Sequence, residues 1–202
     1  MLDHPQPKVL LLDLGGVVFD VQWTQMIKHL GLSEKFTDFQ YWKIYDRFER
    51  GDIDLAAFQA GFEERVEKKF NPHAFQEAFN YIVHKPLDGI EKIISAVVAN
   101  KIPLYALSNI SITHADYVQT LPVMKPFIKI FKSYELRSRK PEVEIYERML
   151  AELPKYQPHD FLFIDDREAN LETARKLGFH GEQSVDNAST LESILKNYGF
   201  LS

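Results

Sequence analysis

Cysteine is absent from the 202 residues, which excludes disulfides, thiolate metal sites and a cysteine nucleophile. The absence suits a reducing compartment, and a cytoplasmic location is expected. A basic surplus is missing too: the formal net charge is -5, which gives no support to binding of nucleic acid or an anionic membrane. No apolar run approaches the roughly 18 uncharged residues of a membrane helix. The first apolar run carries a carboxylate and two glycines and lacks the basic flank and cleavage pattern of a signal peptide. Neither a nucleic-acid nor a membrane partner is therefore expected. Internal repeats and low-complexity linkers are missing as well. The seven histidines, His4, His29, His73, His84, His114, His159 and His180, show no metal-ligand spacing and are assigned no role.

What is there is a chain with 45% apolar content, enough for one sizeable core or for a core with a small accessory domain. Its most informative run is KVLLLDLGGVVFD, from Lys8 to Asp20. Val9 to Leu12 read as a strand buried on both faces, as in a parallel sheet covered by helices. Such sheets bind ligands beyond the carboxyl ends of their strands. Asp13 stands at that end, and Gly15 and Gly16 let a ligand approach the backbone closely.

From about Val21 to Lys85 the periodicity is helical, with no convincing strand. Half of the chain's aromatic residues lie there. Gly31 ends one helix, Asp54 can cap a second from Leu55, and Asn71 with Pro72 opens a third. Trp23, Trp42, Phe58, Phe62, Phe75 and Phe79 could stack on a sugar or ring, but filling the core of a small bundle is the simpler use. After Pro86, helix and strand alternate: Ile90 to Val98 is helical, Ile102 to Asn109 a strand, a helix opens at Pro141, and Phe161 to Ile164 is a third buried strand. Gly178 stops the next helix, and Ser189 with Glu192 can form a capping box for the last. The expected fold is α/β: a Rossmann-like, doubly wound parallel sheet with a helical bundle inserted after the first strand. Residues 1-20 and 86-202 would form the core, and 21-85 the insert, joined by crossings near 17-21 and 84-88.

Three strands end in residues suited to phosphoryl chemistry: Asp13, then Ser108 with Asn109, then Asp165 with Asp166. Lys140 lies between the last two. Strand ends of a parallel sheet share one edge, so these residues can converge. Crowded carboxylates repel, each pair by about 4 kcal/mol at 4 Å and an effective dielectric of 20. Something positive must sit among them. Mg²⁺ is the natural candidate, because it takes a few carboxylate oxygens, waters and substrate phosphate. Lys140 adds a second positive charge, and the Ser108 hydroxyl can bind phosphoryl oxygens.

Taken together, LLLDLGGVVFD, LYALSN, RKPEVEIY and FLFIDDREANLETARKLGF resemble the four motifs of the haloacid dehalogenase superfamily, over about Lys8 to Phe179. The insert is similar in position and size to the C1 cap of subfamily IA, and ERGDIDLAAF within it is typical of the branch that includes α-glucose-1-phosphate phosphatase-like proteins and the phosphatase domain of epoxide hydrolases. The resemblance implies a Mg²⁺-dependent phosphomonoester hydrolase acting on a small phosphorylated metabolite, such as a sugar phosphate. It implies Asp13 as the nucleophile that becomes an aspartyl phosphate. It also implies Asp13, the Gly15 carbonyl and Asp166 as metal ligands, and Asp165 as a ligand through water or as the residue that orients Lys140. Ser108, Asn109 and Lys140 would bind the phosphoryl group.

One position departs from the pattern. Most family phosphatases carry a second aspartate two residues after the nucleophile, which protonates the leaving oxygen; here it is Gly15. A missing general acid costs about 10² to 10⁴ in rate. Three readings follow. The protein is a phosphatase whose leaving group needs little protonation or whose insert supplies the acid, with Asp20, Asp46 and Asp52 as candidates. Alternatively, it is a weak or inactive protein that binds a phospho-ligand or a partner protein. Third, it is a 2-haloacid dehalogenase, a class that needs no metal and against which the Asp165–Asp166 pair argues. In the insert, Tyr45 to Asp52 are expected to face the site, and Arg47 or Arg50 could bind a substrate anion. Oligomeric state is not legible.

Overall fold

The computed structural model describes residues 6–185 and 187–202; His4 falls outside them. Five strands form a parallel sheet: β1 (Val9–Leu12), β4 (Leu104–Ser108), β5 (Lys129–Lys132), β6 (Phe161–Asp165) and β7 (His180–Gln183), in the order β5-β4-β1-β6-β7. β1 lies between β4 and β6, so its carboxyl end is flanked by theirs. Alternate side chains leave opposite faces of a strand. Leu10 and Leu12 accordingly join one cluster with α5 (Ile90–Ala99), α6 (Ile112–Val118) and α10 (Ala188–Asn197), while Val9 and Leu11 join another with α8 (Val143–Ala151) and α9 (Glu168–Lys176). The sheet is thus covered on both faces, as a doubly wound fold requires.

Between β1 and α5, the chain forms β2 (Phe19–Val21), α1 (Trp23–His29), a long 3-10 segment (Glu34–Tyr41), α2 (Lys43–Glu49), α3 (Leu55–Val66), α4 (Pro72–Asn80) and β3 (Val83–Pro86). These helices enclose an aromatic cluster of their own, in which Phe39, Phe48, Phe58, Phe62, Phe75 and Phe79 are fully buried. Caps lock the helix starts where expected. Asp54 Oδ1 accepts from Ala57 N–H at 2.8 Å, and Asn71 Oδ1 accepts from His73 N–H at 3.0 Å.

Several elements differ from the sequence expectation. β2 and β3 pair with each other antiparallel, at the edges of the stretch expected to be wholly helical. Two crossings side by side satisfy each other's backbone groups. β5 and β7 were not expected either: KIFK and HGEQ are short, partly exposed edge strands without an apolar run. At α10 the cap is Asn187, whose side chain accepts from Ser189 and Thr190 N–H, rather than Ser189. The last short helix is α7 (Ser133–Leu136). Among the described residues, no helix is long and apolar enough to cross a membrane.

Candidate active site

β1, β4 and β6 end side by side, and a cavity of about 250 Å³ opens beyond them. Asp13, Gly15, Ser108, Asn109, Lys140 and Asp166 all line it. Asp165 lies directly behind, with no exposed surface. The carboxylates of Asp13, Asp165 and Asp166 come within 4.8 Å of one another.

Lys140 sits between Asp13 and Asp165. Its Nζ lies 2.9 Å from Asp13 Oδ1 and 2.6 Å from Asp165 Oδ2. Burial works to lower its pKa, but Asp13 and Asp165 outweigh that and raise it. Asp165 is saturated, since its Oδ1 accepts from Arg167 N–H at 2.9 Å and from Asn170 Nδ2 at 2.8 Å. Its Oδ2 accepts from Lys140 Nζ at 2.6 Å. The Asn109 side chain is spent on the backbone of Lys140, so it reaches the site through that residue. Ser108, 3% exposed, lines the cavity from the end of β4.

Three carboxylates crowd around one buried ammonium, and the Arg167 guanidinium also acts on Asp166. Burial, and then the charges of Asp13 and Asp165, push the Asp166 carboxyl up to about 7. Desolvation likewise raises Asp13, against the pull of Lys140. A cluster so loaded fits a hard divalent cation with oxygen ligands. The loop holding it is tight: Gly16 has φ +70°, and a β-carbon there would lie 3.0 Å from Asp166 Cβ.

The helical segment closes the opposite wall. Trp23 faces the cavity, whereas the other five candidate stacking rings, Trp42, Phe58, Phe62, Phe75 and Phe79, are buried in their own cluster. From α2 come Tyr45 and Glu49, as the position of their stretch led one to expect. Neither had been singled out by residue, nor had Arg139, Arg167 or His114, all of which line the cavity. Arg139 Nη1 lies 2.6 Å from Asp46 Oδ1, and its Nη2 lies 2.7 Å from Glu49 Oε2. Arg50 holds Asp46 at 3.0 Å and grips Glu142 with both terminal nitrogens. Arg50 is thus committed and Arg47 is exposed away from the cavity, so neither cation expected to bind substrate is placed for it. The acid candidates are also displaced. Asp20 binds Gln22, Asp46 is held below the usual carboxylate range by its arginines against the effect of burial, and Asp52 lies toward Arg137. None of the three lines the cavity.

Comparisons with known proteins bear on the family of the chain. A family profile described as haloacid dehalogenase-like hydrolase matches residues 7–178. The chain is 28% identical over 196 residues to flavin mononucleotide hydrolase 1 of Arabidopsis thaliana, covering 95% of this chain and 77% of that protein. It is 23% identical over 204 residues to D-ribitol-5-phosphate phosphatase of Bacteroides thetaiotaomicron, covering 93% and 96%. A crystal structure of a HAD family enzyme from Bacteroides thetaiotaomicron, in complex with magnesium and inorganic phosphate, has a TM-score of 0.77 at 28% identity, covering 92% of this chain and 98% of that one. The chain belongs to the haloacid dehalogenase-like hydrolases.

Proposed function

We propose that this protein is a Mg²⁺-dependent phosphomonoester hydrolase that works through an aspartyl phosphate on Asp13. The observation that carries the reading is the convergence of Asp13, Asp166, Lys140 and Ser108 on one cavity, with three carboxylates crowded there. Asp13, Asp166 and the Gly15 carbonyl would hold Mg²⁺, with Asp165 behind them. When bound, the ion supplies positive charge to the phosphoryl oxygens and brings phosphate and nucleophile together. Asp13 attacks phosphorus, Lys140 balances the charge that builds there, and Ser108 donates to a phosphoryl oxygen; catalysis of this kind is mostly positioning and charge stabilisation. The residues from 21 to 85 act as a cap that shapes the leaving-group side.

Flavin mononucleotide and D-ribitol 5-phosphate, for which two relatives are named, are both phosphomonoesters of a primary alcohol on a five-carbon polyol chain. A small phosphorylated metabolite of that kind suits a cavity of about 250 Å³. The test is hydrolysis of p-nitrophenyl phosphate and of a panel of sugar and polyol phosphates. Turnover that needs Mg²⁺ and vanishes in Asp13→Asn supports the reading. Phosphate binding without turnover would instead indicate a binding protein, and EDTA-insensitive chloride release from a 2-haloacid would indicate a dehalogenase.

A further inference from the structure

A primary alcohol leaves as an alkoxide unless it receives a proton, and residue 15 has no side chain to give one. Other groups at the cavity are committed elsewhere. Asp13 bonds to phosphorus, Asp166 is assigned to the metal, and Lys140 is locked between Asp13 and Asp165. Asp165 has every oxygen occupied. His114 Nε2 is held 2.9 Å from the Phe79 carbonyl. The Tyr45 phenol is a poor proton donor, its pKa raised by burial first and by the neighbouring Glu49 second.

Glu49 remains. It reaches the cavity from the end of α2, and its Oε2 is buried without an aligned hydrogen bond, although Arg139 is within ion-pair distance. The cation is shared: Arg139 and Arg50 together face three carboxylates, those of Asp46, Glu49 and Glu142. One proton can therefore enter the cluster without leaving a guanidinium unpaired. Arg167, the remaining charge facing Glu49, also faces Asp166. Among the three carboxylates Glu49 is by far the least exposed, at 6% of its side chain against 36% for each of the others. Ionisation costs most where water is scarcest, and burial does raise the Glu49 carboxyl against the pull of Arg139.

We propose that Glu49 is the general acid–base of this site, supplying from α2 the proton-transfer group that position 15 lacks. The inference rests on the phosphatase reading above. As the Asp13 oxygen bonds to phosphorus and the ester P–O bond breaks, the Glu49 proton passes to the leaving oxygen, releasing the alcohol. The Glu49 carboxylate then takes a proton from the water that attacks phosphorus, and the Asp13–phosphorus bond breaks to give free phosphate and reprotonated Glu49.

Leaving-group dependence tests this. With Mg²⁺ present, wild type, Glu49→Gln and Glu49→Asp are compared on p-nitrophenyl phosphate and on D-ribitol 5-phosphate, glycerol 3-phosphate and flavin mononucleotide. Glu49→Gln should lose about 10² to 10⁴ in kcat on an alkyl phosphate, and about tenfold or more less than that on the aryl ester, whose phenolate departs without a proton. Glu49→Asp, which keeps a carboxyl, should retain more alkyl turnover than Gln. Equal losses on both ester classes, or Asp and Gln variants equally impaired, would overturn the proposal. Wild-type turnover of the aryl ester but of no alkyl phosphate would overturn it while leaving the phosphatase reading intact. Inertness toward all four would remove both.

Discussion

The carboxamide of Asn109 holds the backbone of Lys140 from both sides: Nδ2 donates to the Lys140 carbonyl at 2.9 Å, and Oδ1 accepts from the Lys140 N–H at 2.8 Å. The loop before α8 has no sheet partner to fix it there. Asn109, at the end of β4, therefore sets where the ammonium of Lys140 meets Asp13 and Asp165.

Replacing Asn109 with alanine leaves both Lys140 backbone groups without their partner in a half-buried place. A loss of about 1–3 kcal/mol of stability follows from one such unsatisfied group. Urea unfolding should show it, and kcat should fall with little change in KM, because Lys140 then neutralises the reacting phosphoryl group less well. A change in KM alone would contradict this positioning role.

Mg²⁺ should stabilise the folded chain, because the three aspartates come together only on folding. At a free concentration of about 100 times Kd, the gain is about 2.7 kcal/mol. Thermal unfolding with Mg²⁺ and with EDTA reads it directly. In Asp166→Asn the shift should largely disappear; a shift of wild-type size in that variant would place the ion elsewhere.

Gly16 and Gly15 should respond differently to alanine. At Gly16, φ is +70° and the new β-carbon would press on Asp166 at 3.0 Å, so a loss of about 1–3 kcal/mol is expected. At Gly15 the backbone needs no positive φ and the β-carbon would meet a single Val21 methyl at 3.1 Å, so the cost should be smaller, about 1 kcal/mol. Gly16→Ala should also weaken the Mg²⁺-dependent shift. The reverse ranking of the two variants would mean that the loop does not hold Asp166 as described.

His114 joins the sheet domain to the helical segment, stacked on Phe79 with ring centroids 3.9 Å apart. Burial lowers its pKa from 6.5 to about 4. A base with a depressed folded pKa stabilises the fold fully above its unfolded value. Stability should therefore fall as pH drops through 6.5 and level off below about 4, by at most roughly 3 kcal/mol. Chemical denaturation across that window measures the slope, which should flatten in His114→Gln. An unchanged slope in the variant would assign the acid sensitivity to other groups.

Much of the fold was legible because β1, β4 and β6 are apolar runs buried on both faces, which few other structures produce. β5 and β7 were hidden because an edge strand needs no such run; KIFK and HGEQ keep polar side chains facing water. Asp13, Ser108, Asp165 and Asp166 could be found because they punctuate the legible strands. Glu49 could not be singled out: on α2 it reads as an ordinary charged helix residue, and its burial depends on Arg139, 90 positions along the chain, and on the approach of α2 to Ser133, whose hydroxyl donates to the Glu49 carbonyl at 2.6 Å. The pair of hydrogen bonds between Asn109 and Lys140 is invisible for the same reason. Contacts between loops leave no periodic trace in sequence.

The central claim is covalent: Asp13 becomes phosphorylated. Acid quenching during turnover of p-nitrophenyl phosphate, followed by peptide mass spectrometry, should find one phosphoryl group on the peptide containing Asp13, present with Mg²⁺ and absent with EDTA or in Asp13→Asn. Turnover that proceeds in Asp13→Asn, or a phosphoryl group carried on a different residue, would contradict it.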